Sequence, residues 1–337
     1  MVELIPTDVR RKFEEACTGT DPLWDIRLRR LISTFTWYTQ AGLADKQFAQ
    51  QLVADDTYLQ RLSEMLVAYK LARAGYKLSS KAAGPDLWAS KAGRGFWVEV
   101  ITPRPEQVDA SFLNQHEAGP DGFVKVPSDQ ILRRWTSAIS EKARKLLGTD
   151  NQISGTRSPG YLEKKLVKAN EPFVIAINAR NLRSKAGEGV FSGRSLNPCA
   201  VEALFAVGPL ELRFGPLDGS SPARLSVGRS QRAVLKSATG ADIQMTTFLD
   251  EAYAPISAVW ALDIDESEMI LNPPWPGIER NYFASAAMFN PHAINPLAPR
   301  DLPTFEDWTC KIEGDSYHLN HHDRIPFRPG RPGLVRR

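Results

Sequence analysis

Apolar residues between positions 59 and 75 recur at helical intervals: Leu59, Leu62, Leu66 and Leu71 share a stripe, with Met65 and Tyr69 beside it. Gly75 ends the segment as a C-cap glycine would. Gly84-Pro85-Asp86 is a turn signal, and residues 87–89 and 96–101 read as two short strands joined by SKAGRG, a hairpin. Upstream, residues 8–50 look helical, with Asp21-Pro22 as a start signal and Trp24, Leu28, Leu31 and Phe35 at helical spacing. Downstream, 104–127 is a long polar loop. A helix then spans 128–147, with Ser128 as N-cap and Ile131, Trp135, Ala138, Ile139 and Leu146 as its buried stripe. After a flexible connection at 148–160, a short helix is expected over 161–168, followed by an apolar run, 172–178. A run apolar at every position fits a strand buried on both faces, hence the centre of a mixed sheet with helices on either side. The fold class expected is therefore α/β.

The second half of the chain is less regular. Residues 183–198 read as a polar loop, 198–207 as a short helix, LELRFG (210–215) and RAVLKS (232–237) as edge strands, and 256–262 as a further strand.

Acidic residues interrupt this pattern where carboxylates are costly. Glu64 lies near the apolar border of its helix, Asp86 closes the turn, and Glu99 sits inside the apolar strand. A carboxylate there costs several kcal/mol unless it is paired or bound to a cation, and neighbouring carboxylates repel. Asp86 and Glu99 can lie side by side on the hairpin, and a divalent metal would relieve both problems; Mg²⁺ takes one or two carboxylates plus water and substrate phosphate.

Glu64, then Gly84-Pro85-Asp86, then Glu99-Val100-Ile101 resembles the PD-(D/E)XK nuclease superfamily, the restriction-endonuclease-like fold. The resemblance covers the first half of the chain. It implies an αβββαβ core, Asp86 and Glu99 as ligands of Mg²⁺ (or Mn²⁺), the Val100 carbonyl as a third donor, and Glu64 as the helix acid. It also implies a lysine two residues after Glu99, where this chain has Ile101. Superfamily members relocate that lysine to a nearby helix, and Lys142 and Lys145 lie one turn apart on one face of 128–147, with Lys142 the better candidate. The expected function is Mg²⁺-dependent hydrolysis of phosphodiester bonds, in DNA, with a homodimer as one arrangement for cutting both strands. The alternative is a nuclease fold that has lost cleavage and binds nucleic acid or protein.

Composition narrows the setting. With 42 basic and 39 acidic residues the net charge is +3, too small to demand a nucleic-acid partner, so any phosphate contact must come from local clusters. Three scattered cysteines argue for a reducing, cytoplasmic setting, and the charged N-terminal segment lacks the apolar core of a signal peptide. No run approaches the ~20 apolar residues that cross a bilayer. GxxxxGK[ST], GxGxxG, GxSxG and HExxH are all absent. His116 in the long loop reads as an exposed loop histidine. Asp263, Asp265, Glu266 and Glu268 read as a solvated acidic turn, and His318, His321, His322 and Asp323 lack zinc-ligand spacing. The organisation expected is a helical arm at 1–50, a nuclease-like core at 51–309, and a partly ordered basic tail at 310–337.

Overall fold

Side chains of a strand point alternately to the two faces of a sheet, so a fully apolar strand must be covered on both. The computed structural model describes residues 5–17, 23–115, 125–151, 156–185, 192–214, 225–267, 285–314 and 316–323. Helices α1 (Thr7–Cys17), α2 (Trp24–Gln40), α3 (Phe48–Val53) and α4 (Tyr58–Arg73) precede strands β1 (Lys77–Ser79), β2 (Leu87–Lys91) and β3 (Arg94–Ile101). A short α5 (Ala110–Leu113) and the long α6 (Ser128–Leu147) follow, then a small hairpin of β4 (Thr149–Asn151) and β5 (Thr156–Ser158), and then β6 (Phe173–Asn178). The remainder comprises α7 (Cys199–Phe205), β7 (Val207–Phe214), β8 (Leu225–Gln231), β9 (Val234–Lys236), β10 (Asp242–Gln244), β11 (Ala258–Leu262), β12 (Ser285–Phe289), β13 (Glu306–Glu313) and β14 (Ser316–Asp323).

Eight strands form one mixed sheet in the order β1-β2-β3-β6-β11-β12-β13-β14. β6 lies parallel to both β3 and β11, and β12 parallel to β13; the other pairs are antiparallel. The chain is thus an α/β protein with a mixed central sheet flanked by helices. Val98, Val100, Val174, Ala176 and Trp260 meet Phe13, Leu31, Leu62 and Met65 of the N-terminal helices on one face. Trp97, Ile101, Ile175, Ile177 and Val259 meet Trp135, Ile139 and Leu204 of α6 and α7 on the other. Each fully buried side chain of this kind contributes roughly 1.5–3 kcal/mol of transfer free energy. Ala92 and Gly93 join β2 to β3 with φ of 52° and 80°, the positive values that match a two-residue loop to the twist of the strands.

Several expectations are corrected. The 161–168 segment forms turns, not a helix. Its Tyr161 and Leu162 amides donate to the Lys145 and Leu146 carbonyls at the end of α6, and Lys165 has φ 57°. Pro127, not Ser128, is the N-cap of α6, and the Ser128 hydroxyl donates to the Val126 carbonyl. The strands expected at 210–215 and 232–237 do not edge the main sheet; β7 pairs with β8 and β9 with β10 in separate ribbons. No boundary falls at residue 50, because α1, α2 and α3 share one core with α4. The basic tail does not begin at 310: β13 and β14 carry the sheet on to Asp323, since Tyr317 and Leu319 have core to pack on, and 324–337 lie outside the described residues. The start signal at Asp21-Pro22, His116 and Glu268 also lie outside them.

Candidate active site at the end of β3

Unpaired backbone groups dictate the first part of the site. β2 begins pairing at Leu87, opposite Val98, whereas β3 runs on to Ile101, so the last residues of β3 have no strand beside them on that edge. Buried N–H and C=O groups need partners, and here side chains supply them. The Val100 amide donates to Asp86 Oδ2 at 2.6 Å. The Gln60 side chain donates to the Val100 carbonyl at 3.2 Å and accepts from the Thr102 amide at 2.7 Å. Its amide replaces a peptide unit of the missing strand.

Alternation along β3 turns Glu99 toward α6. Its carboxylate is 1% exposed, and Oε1 accepts from both Lys142 Nζ and Lys145 Nζ at 2.9 Å, with the Tyr161 hydroxyl 3.4 Å from Oε2. Lys142 is buried, whereas the Lys145 side chain is 44% exposed. Glu64 comes from α4, on the other face, and accepts from Gln60 (2.9 Å) and Arg61 (2.7 Å). Arg61 is itself held by Gln51 at 2.6 Å and Asp45 at 3.2 Å.

Electrostatics follow from this crowding. Burial, then the charges of Glu99 and Glu64, push the Asp86 carboxyl well above the ordinary aspartate value against the opposing pull of Lys142 and the Val100 amide. Burial raises Glu64 as well, opposed by Arg61, Gln60 and Lys142. Burial opposes protonation of Lys145, but the Glu99 charge and hydrogen bond prevail and raise it. Burial and Glu99 together push the Tyr161 phenol up to about 12.

The structure therefore brings Glu64, Asp86, Glu99, Val100, Lys142 and Lys145 to one end of β3, beside a cleft of about 520 Å³. Gln60, Arg61 and Tyr161 join them unanticipated. Gln60 lies one helical turn before Glu64, a visible spacing, but only the late start of β2 gives it a task. Tyr161 offered no signal, since its approach depends on the turn that replaces the expected helix.

Asp86, Glu99 and the Val100 carbonyl are oxygen donors, the ligand type Mg²⁺ takes, and the charge crowding at Asp86 is of the sign a cation relieves. Among the described residues, no three His, Cys, Asp or Glu side chains gather closely enough to hold a metal on their own. The other candidate clusters are engaged structurally. Asp263 pairs with Arg183 (3.1 Å) and Arg180 (3.7 Å), Arg180 also meets Asp265, and Glu266 accepts from Tyr58 at 2.7 Å, so the acidic turn is an ion-paired seam and not a solvated one. His321 stacks on Trp308, and His318 lies 3.7 Å from Glu313.

No family model, curated protein or solved structure matches the chain. No helix among the described residues is long and apolar enough to cross a membrane.

Proposed function

We propose that the chain is a Mg²⁺-dependent (or Mn²⁺-dependent) nuclease that hydrolyses phosphodiester bonds of DNA, with a PD-(D/E)XK-like site at the end of β3. The observation that carries this reading is the approach of Lys142 and Lys145 to Glu99 at 2.9 Å, in place of a lysine at Ile101. Asp86, Glu99 and the Val100 carbonyl would hold the cation. When bound, such an ion supplies Lewis-acid polarisation of a phosphoryl oxygen and lowers the pKa of water at the site. The chain itself supplies the rest. Lys142 and Lys145 offset charge developing on the phosphate. Gln60 fixes the carbonyl of Val100, and Arg61 keeps Glu64 in place. The three free cysteines accord with an intracellular setting as part of the same proposal, and a homodimer, which sedimentation tests, belongs to it as well.

A second reading, a fold that binds nucleic acid or protein without cutting, is favoured by the charge count. Glu64 is paired with Arg61 and Glu99 with both Lys142 and Lys145, so these two carboxylates are satisfied without a metal. Plasmid DNA, single-stranded DNA and RNA incubated with the protein in Mg²⁺ or Mn²⁺, beside Glu99→Ala and Lys142→Ala, separate the two. Cleavage that disappears in both variants supports the nuclease; binding without cleavage by the parent supports the module.

A further inference from the structure

The cleft beside Glu99 lies between two helical layers, and its walls differ in charge. On the α3–α4 side it is lined by Asp45, Asp55, Asp56 and Glu64; Arg61, paired with Asp45 and Glu64, is the one cation in that lining, Lys12 of α1 pairs with Asp55, and the wall still carries more acids than bases. On the α6 side, with the chain leaving β3, it is lined by Arg104, Arg134, Lys142 and Lys145, with Glu141 the one acid. Asp45, Asp55 and Asp56 are exposed, as is Arg104, so the difference is presented to whatever enters. From this asymmetry, and resting on the nuclease reading above, we infer that the cleft takes a single nucleic-acid strand and excludes a duplex.

The chemistry of the two walls matches the two sides of a single strand. Phosphates belong against arginines and lysines. Unpaired bases expose exocyclic amino groups, which carboxylates accept from, as aspartate and glutamate do from the cytosine N4 amine. In a duplex each of those amines spends one N–H on its complementary base and holds the other recessed in a groove, and the second phosphate chain would lie against Asp45, Asp55 and Asp56, like charge against like. Size points the same way. A cleft of about 520 Å³ falls within the roughly 300–1,000 Å³ that bury a small-molecule ligand, a scale that suits a nucleotide or short single strand. The acidic wall belongs to the N-terminal helices, so these would act as a strand-selecting layer over the site.

The test is fluorescence anisotropy in EDTA with one labelled oligodeoxynucleotide, alone and annealed to its complement, followed by cleavage assays of both in Mg²⁺. The single strand should bind at least about tenfold more tightly, the ratio set by about 1.4 kcal/mol. Asp45→Asn/Asp55→Asn/Asp56→Asn should shrink that ratio by tightening duplex binding, and Arg134→Ala should weaken the single strand. Equal or tighter duplex binding by the parent, or an unchanged ratio in the asparagine variant with its thermal melt intact, overturns the inference. Outcomes for the nuclease reading are distinct. A single strand bound but never cut leaves the inference standing and removes the nuclease; a duplex bound and cut does the reverse; failure to bind or cut either removes both.

Discussion

Two lysines on one carboxylate oxygen make a non-additive system whose size can be worked out. Lys142→Met keeps most of the apolar stem and removes the buried ammonium 2.9 Å from Glu99. Removing one partner of a buried ion pair costs about 3–5 kcal/mol when the other charge is stranded. Glu99 is not stranded, because Lys145 remains at 2.9 Å and the Tyr161 hydroxyl at 3.4 Å, so about 2–3 kcal/mol is expected, just below that range. Lys145→Met removes a group whose side chain is 44% exposed and solvent-screened, and should cost about 1 kcal/mol or less. In the double variant Glu99, 1% exposed, has no cation within reach, and the loss should exceed the sum of the single losses by about 1 kcal/mol. Urea denaturation of the four proteins in EDTA at neutral pH reads all three numbers. Losses that add to within about 0.5 kcal/mol, or a Lys145→Met loss equal to that of Lys142→Met, would show that the lysines do not share Glu99.

Four further outcomes follow from other contacts. Under the nuclease reading Mg²⁺ stabilises the fold: with a Kd of about 1 mM, 10 mM ion adds about 1.4 kcal/mol, visible as a rise in melting temperature that Asp86→Asn/Glu99→Gln abolishes. Gln60→Ala leaves the Val100 carbonyl and Thr102 amide without their partner and should cost about 2 kcal/mol in the same denaturation assay. Gly95→Ala should destabilise by about 1–3 kcal/mol, because a Cβ there would lie 2.3 Å from the Trp88 ring, which would have to leave its packing on Trp97. Asp129, in the first turn of α6, is held below the usual aspartate value by its hydrogen bond to Arg232, with Arg194 and Arg133 adding and burial opposing. A depressed carboxyl contributes stability that is present above the unfolded value, 3.8, and lost as pH falls through the folded one, so Asp129→Asn should narrow its gap to the parent below pH 3.8.

The order helix, hairpin, helix, buried strand was legible because each element carries its own period: the leucine stripe of α4, the apolar strands 96–101 and 173–178, and the amphipathic α6 between them, whereas the three-residue β1 is too short to show one. The hairpin itself was legible, but its strands run on through most of SKAGRG, and it is the two-residue Ala92-Gly93 loop that fixes the register next to which Asp86 and Glu99 fall. What remained hidden depends on tertiary accidents of length. Gln60 acquires its role only because β2 starts pairing late, and Tyr161 reaches Glu99 only because the carbonyls at the end of α6 capture the following amides. The C-terminal strands were misread for another reason. β14 alternates polar and apolar residues at a sheet edge, and its histidines look like a tail until Trp308 and the core beneath Tyr317 and Leu319 are in place.

Ile101 ties these observations together. It lies two residues after Glu99, on the same face of β3, and is 7% exposed within the core that α6 covers. Ile101 also borders the cleft, where its apolar side chain leaves the cations to α6, whose Lys142 and Lys145 meet Glu99 directly. The helix that makes the β3 position apolar is the one that delivers Lys142 and Lys145, so the isoleucine and the relocated cations are consequences of one packing arrangement. That arrangement serves a balanced buried cluster and a hydrolytic site equally well. What separates them is whether Asp86, crowded by Glu99 and Glu64 and paired with no lysine or arginine, gains a cation from solution. Melting-temperature shifts with Mg²⁺ read that gain without requiring any substrate, and so weigh the metal independently of which nucleic acid, if any, the cleft accepts.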